Sequence, residues 1–281
     1  MLPRSRLSSR PSLRRPAALL IGLLALLLLA TTSGSAVAGG RPGARPTVVL
    51  VHGAWADSSS WDRVVSRLQH DRYTVDVFPT PLRGLGSDTD DLRTYLAAIS
   101  GPVVLVGHSY GGAVVTDVAI GSPGVKALVY LDAFAPDTGE NVLQLAGSTS
   151  ALANPDPTQV FRFVPPALPP GPATDLYVLP GFFPGAFAND LPARQARVLA
   201  VTQRPVTYGA LTQSASAPGW RVLPSWYEVG TLDRVIPPDQ QLFMARRASA
   251  HVSTVASGHL PMISKPGAVT RVIETAARAT S

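Results

Sequence analysis

The sequence predicts an α/β fold on a mainly parallel sheet with helices on its faces. Three observations predict it. Short apolar runs recur and stop at glycine, proline or aspartate, as buried parallel strands do. Stretches with helical spacing of apolar residues separate these runs. The 281 residues include no cysteine, which excludes disulfides and zinc–thiolate sites, so a packed core must hold the chain together.

The first 46 residues stand outside the alternation. Residues 1–16 carry Arg4, Arg6, Arg10, Arg14 and Arg15 and no acid; residues 17–30 are apolar apart from Gly22; small residues follow up to Ala36-Val37-Ala38. That order is the n-region, h-region and A-x-A site of a secretory signal peptide. An uncleaved anchor is the alternative, but the apolar stretch rises only about 21 Å as a helix against a bilayer core of about 30 Å. Residues 1–38 are therefore expected to be a cleaved signal and 39–46 a linker, with no stable membrane anchor left after cleavage. Arg14-Arg15 keeps a twin-arginine export route open. The five signal arginines account for all but one unit of the +6 formal charge, so the exported chain offers no electrostatic case for nucleic acid.

The elements then follow in order. "TVVLVHG" (47–53) reads as a buried strand. "DSSSWDRVVSRLQ" reads as a helix, with Ser58 to Ser60 as candidate N-caps and Trp61, Val64, Val65 and Leu68 on one face. "YTVDVFP" (73–79) alternates and stops at proline. "GSDTDDLRTYLAAIS" is a helix whose first-turn acids suit the dipole. "PVVLVG" is a strand, "GGAVVTDVAIG" a helix closing on Gly121, and "VKALVYLD" a further strand. From about 134 to 224 the alternation breaks in a proline-dense stretch with one helical segment, "DLPARQARVLAVTQRP", and no strong strand signal. Phe161, Phe163, Tyr177, Phe182, Phe183 and Phe187 argue against a disordered linker, so the stretch is read as an inserted lid. "SWYEVG", "PPDQQLFMARRA", "HVSTVA" and "KPGAVTRVIETAARAT" then resume as strand, helix, strand and helix.

The chemistry starts at "VVLVGHSYGG". Gly107-His108-Ser109-Tyr110-Gly111 is G-x-S-x-G between a strand and a helix, the context of a nucleophile elbow. Its sharp turn presents the Ser109 hydroxyl, and the flanking glycines avoid clashes with neighbouring backbone. A serine nucleophile needs a base, and the base an orienting acid, in the chain order Ser, acid, His. His52 and His108 come too early for the base. His70, in a polar turn, and His251, at a strand start, read as surface residues. His259 sits in a loop just after the last strand, where the base belongs. Asp233 and Asp132 both follow strands; Asp233 is preferred because its strand neighbours the one before His259. The loser is expected to cap nearby amides. The Ala54 and Tyr110 amides are the candidate oxyanion hole, with Trp55 as the alternative to Ala54.

Those residues amount to a resemblance. From about Pro46 onward the chain resembles small α/β-hydrolases of the hydroxynitrile lyase and plant methylesterase type, above all bacterial esterase-like members. The carrying motifs are "VVLVHGAW", "PLRGLGS", "VVLVGHSYGG", "VKALVYLDAFAPDTGE", "VGTLDRVIPPDQQ" and "SGHLPMISKP". The resemblance implies an α/β-hydrolase fold with a six-stranded sheet, a triad of Ser109, Asp233 and His259, and no metal or cofactor. Cyanohydrin-cleaving members carry a threonine and a lysine where this chain has Gly53 and Leu260. No cation is offered there for departing cyanide, and hydrolysis of a small-molecule carboxylic ester is expected instead. Lactone or amide hydrolysis, perhydrolysis, or a binding protein that keeps the fold are the rivals; Ser109 argues against chemistry with an aspartate nucleophile. The sequence sets no oligomeric state.

Overall fold

A computed structural model describes residues 45–280. The expected signal (1–38) and most of the expected linker (39–46) lie outside the described residues. No described helix is long and apolar enough to cross a membrane.

The chain runs β1 (Thr47–Val51), α1 (Asp62–His70), β2 (Val75–Phe78), α2 (Leu85–Ala97), β3 (Val103–His108), α3 (Tyr110–Ala119) and β4 (Val125–Leu131). An insertion follows: α4 (Val142–Ala146), β5 (Phe161–Val164), β6 (Asp175–Val178), α5 (Phe183–Ala186), α6 (Ala193–Thr202), β7 (Val206–Thr207) and α7 (Tyr208–Thr212). β8 (Ser225–Gly230), α8 (Pro238–Arg247), β9 (His251–Val255), α9 (Pro261–Ser264) and α10 (Pro266–Ala279) complete it. Six strands form one parallel sheet, as expected, and their order is β2-β1-β3-β4-β8-β9.

The core follows from the apolar runs. Every residue of β3 is buried, because helices cover both faces of the sheet. α3 is buried along its whole length, which its small residues allow. α1 is amphipathic, with Val64 and Leu68 inward and Arg63 and Arg67 outward. No side chain caps α1, whose N-cap is Trp61; the side-chain cap lies one turn earlier. Asp57, not Ser58 to Ser60, accepts the Ser59 amide at 2.8 Å, and those serines form a 3₁₀ turn instead. The aspartate carboxylate has the longer reach and the negative charge that a helix start favours.

The insertion departs further from the sequence reading. β5, β6 and β7 form a three-stranded antiparallel sheet. Phe161 and Phe163 turn inward while Arg162 and Val164 face out. Long-range bonds tie it to the main sheet's loops: Trp55 Nε1–H donates to Leu176 O at 2.9 Å, and Arg83 pairs with Asp175 at 2.6 Å. The return to β8 is fixed by Asp117, which accepts from the Ser216 and Ala217 amides at 3.0 and 3.1 Å.

The sheet order reverses between β1 and β3, since β2 lies on one side of β1 and β3 on the other. Open parallel sheets place their ligand crevices at the carboxyl ends of strands at such a point. Ala54, Ser109, Asp132, Asp233 and His259 all follow carboxyl ends: those of β1, β3, β4, β8 and β9.

Candidate active site

The elbow is built by close approach. A Cβ on Gly107 would stand 2.7 Å from Gly111 O, and one on Gly111 would stand 2.5 Å from Val51 O. No side chain fits either position without moving β1 or α3. Ser109 pays for the turn with φ 51° and ψ −123°, a region that non-glycine residues rarely occupy. Trp55 (φ 58°) and Asp132 (φ 43°), which follow β1 and β4, share this left-handed backbone.

The three residues expected to act together are in contact. The Ser109 hydroxyl lies 2.9 Å from His259 Nε2, and His259 Nδ1 lies 2.8 Å from Asp233 Oδ2. The carboxylate only accepts, so Nδ1 carries the imidazole proton and Nε2 is free to accept from Ser109. Asp233 is itself held. Its Oδ1 accepts from the Val235 and Ile236 amides at 2.7 and 3.1 Å, and Gln241 Nε2–H donates to Oδ2 at 2.8 Å. All three side chains are shielded; Ser109 is 4 % exposed and His259 1 %.

Asp132, the other candidate acid, bonds a backbone amide and not His259. Its Oδ1 accepts the Gly230 amide of β8 at 2.6 Å, while Oδ2 is buried with no hydrogen-bond partner. Burial, then the nearby Asp233 carboxylate, pushes the Asp132 carboxyl well above its usual range, which favours its protonated form. One ligand-type atom each from Asp132, Asp233 and His259 lies within 4.8 Å of the others, close enough for a cation. His259 Nδ1, however, already donates to Asp233.

Tyr110 opens α3, so its amide is a first-turn N–H without an intrahelical acceptor, and Ala54 lies on the neighbouring strand end. Among the described residues neither amide has a backbone partner outside the regular elements. The Tyr110 side chain is buried. Its hydroxyl donates to Asp88 Oδ2 at 2.8 Å, and the Arg83 amide donates to Asp88 Oδ1 at 3.1 Å. Asp88 lies in the first turn of α2, as its dipole role requires, and its buried carboxyl also anchors Tyr110; that burial raises its pKa.

Aromatic rings pack against the base. Phe187 meets the His259 ring edge-on at 5.5 Å and Trp55 at 5.4 Å, while Trp55 stacks on Phe161 at 5.6 Å. Phe161 and Phe187 come from the insertion. Asp88, Gln241 and this ring cluster were missed as site residues, because each acts across a sequence separation that no local pattern records. The remaining histidines fall as read, with one refinement. His70 ends α1 rather than lying in a turn and is exposed, as is His251, which packs on Trp226 at 5.0 Å. His52 is buried, and burial takes it down to about 4.

A parallel six-stranded sheet with a serine elbow after β3 is the frame of an α/β hydrolase. Residues 48–272 match the alpha/beta hydrolase family, and the chain belongs to it. A carbendazim hydrolyzing esterase from Nocardioides sp. (strain SG-4G) is 35% identical over 111 residues, 34% of this chain and 46% of that protein. The chain thus spans about half the length of that relative. Alpha/beta hydrolase nvfD from Aspergillus novofumigatus is 27% identical over 262 residues, covering 83% of this chain and 97% of that protein. Among solved structures, an extracellular alpha/beta-hydrolase from a Paenibacillus species superposes with a TM-score of 0.68 at 22% identity, covering 82% of this chain and 98% of that one. That last likeness is one of fold.

Proposed function

We propose that this chain is an exported serine hydrolase that cleaves a small-molecule carboxylic ester through an acyl-enzyme. The observation that carries the reading is the unbroken relay from Ser109 through His259 to Asp233, at 2.9 and 2.8 Å. In it Ser109 Oγ attacks the ester carbonyl as His259 Nε2 takes its proton. Asp233 holds the imidazolium through Nδ1–H. The Ala54 and Tyr110 amides receive the oxyanion, each such donor being worth about 10²–10³ in rate. His259 returns the proton to the departing alcohol, and water repeats the sequence on the acyl-enzyme.

The esterase name of the Nocardioides relative supports ester chemistry. Leu260, buried beside the base, supplies no cation for a lyase. We read residues 134–224 as a lid, because Phe187 covers His259 and the relay is almost sealed. Substrate reaches Ser109 only when these rings move. Export rests on residues 1–38, and the intact mass of secreted protein should place the first residue at Gly39.

The test is a panel of p-nitrophenyl esters of rising chain length, with methyl esters, lactones, an anilide and peroxide competition alongside. The reading expects ester turnover to dominate. Faster lactone, amide or peracid chemistry would move the activity elsewhere on the same relay. One burst of product followed by almost no turnover would make the chain a binding protein.

A further inference from the structure

Two consecutive residues grip the two ends of a third. Ser109 meets the imidazole of His259, while His108 Nε2 lies 2.7 Å from the His259 backbone carbonyl. The base sits in the short connection between β9 and α9, where no strand or helix fixes its backbone. We infer that His108 is a positioning residue, clamping the loop of the base onto the nucleophile elbow; the inference rests on the Ser109–His259 roles proposed above.

The chemistry of the clamp is one-directional. A carbonyl only accepts, so the His108 proton sits on Nε2 and Nδ1 is bare. Nδ1 has no partner and is buried. Leaving it so has a desolvation cost that an apolar residue of the same size would not incur. The ring is boxed in on the far side as well. A Cβ on Gly53 would stand 2.9 Å from His108 Nδ1 and 2.6 Å from Ser109 Cβ, so position 53 has no room for a side chain. The His108 and His259 ring centres are 4.9 Å apart. Burial, and then the charge of His259, hold His108 well below its usual pKa. It therefore stays neutral while His259 gains and loses its proton, and it keeps the same hydrogen bond throughout.

Two variants and one spectrum test this. His108→Leu keeps bulk and loses the donor, and His108→Gln keeps an N–H at similar reach. A misplacement of about 1 Å at a reacting group costs up to about 10²-fold. His108→Leu should therefore lower kcat on a p-nitrophenyl ester about ten- to a hundredfold with KM almost unchanged, and His108→Gln should recover most of that loss. Two cooperatively melting variants with wild-type kcat, or with equal losses, would overturn the clamp. The spectrum needs no activity. In wild-type protein, nitrogen-15 NMR of the imidazoles should give His108 a protonated Nε2 and a bare Nδ1. The opposite tautomer, or an averaged signal, overturns the clamp even if His108→Leu fails to fold. A wild-type protein that turns over no ester would sink the proposed function instead, and the spectrum would still decide the clamp.

Discussion

Glu228 in β8 should make the fold less stable as the pH rises past the ordinary carboxylate range. The residue is 2 % exposed, and its Oε1 has no hydrogen-bond partner. Burial raises its pKa from 4.5 to about 7, against a lesser opposing effect of the Arg271 charge. The unfolded chain loses this proton near its ordinary pKa, the folded chain only near 7. Between those values unfolding releases a proton, so stability falls with rising pH and levels off above the folded pKa. At about 1.4 kcal/mol per pKa unit, the cost of ionising the folded form is about 3 kcal/mol. Glu228→Gln removes it. Chemical denaturation of both proteins at pH 5 and pH 8 is the assay. The variant should exceed wild type by less than about 1 kcal/mol at pH 5, just above the ordinary pKa, and by about 3 kcal/mol at pH 8, or several degrees in Tm. Equal stability at both pH values, or a gain at pH 5 as large as at pH 8, would refute the reasoning.

Three further outcomes follow from the site. Asp233→Asn should lower kcat by about 10⁴, because the amide no longer fixes the His259 tautomer. Asp132→Asn should stay near wild type at neutral pH, because an amide resembles the protonated acid and its Oδ1 can still accept from Gly230; steady-state kinetics on one ester separates the two, and a reversed order would move the acid to the β4 end. Phe187→Ala should speed turnover of bulky esters relative to acetate by uncovering His259, whereas an unchanged chain-length profile would deny the insertion a lid role.

Much of this was legible in the chain before any coordinates. β1, β3 and β4 are mainly apolar runs long enough to declare buried strands, and the elbow glycines mark a turn that only a close approach explains. Ser109 and His259 could be read from strand ends in a fixed order, and Asp233 was preferred to Asp132 because its strand neighbours the one before His259. What stayed hidden acts locally too weakly or at too long a range. β5 is four residues of alternation bounded by proline, too short to rise above its surroundings. Asp88 looks like any first-turn acid until the fold brings the Tyr110 hydroxyl to it. Gln241 is an unremarked helix residue whose partner lies eight positions earlier, across the β8–α8 turn. His108 was visible inside the elbow, but its partner, the His259 carbonyl, is 151 residues away.

The central claim is that Ser109 is the nucleophile, and site mapping of a fluorophosphonate label tests it most directly. Purified protein is treated with the probe, digested and analysed by mass spectrometry, alongside Ser109→Ala. The account predicts one labelled residue, Ser109, with labelling and ester turnover both lost in a variant that still melts cooperatively. Label on another residue, or ester turnover that survives Ser109→Ala, would contradict it.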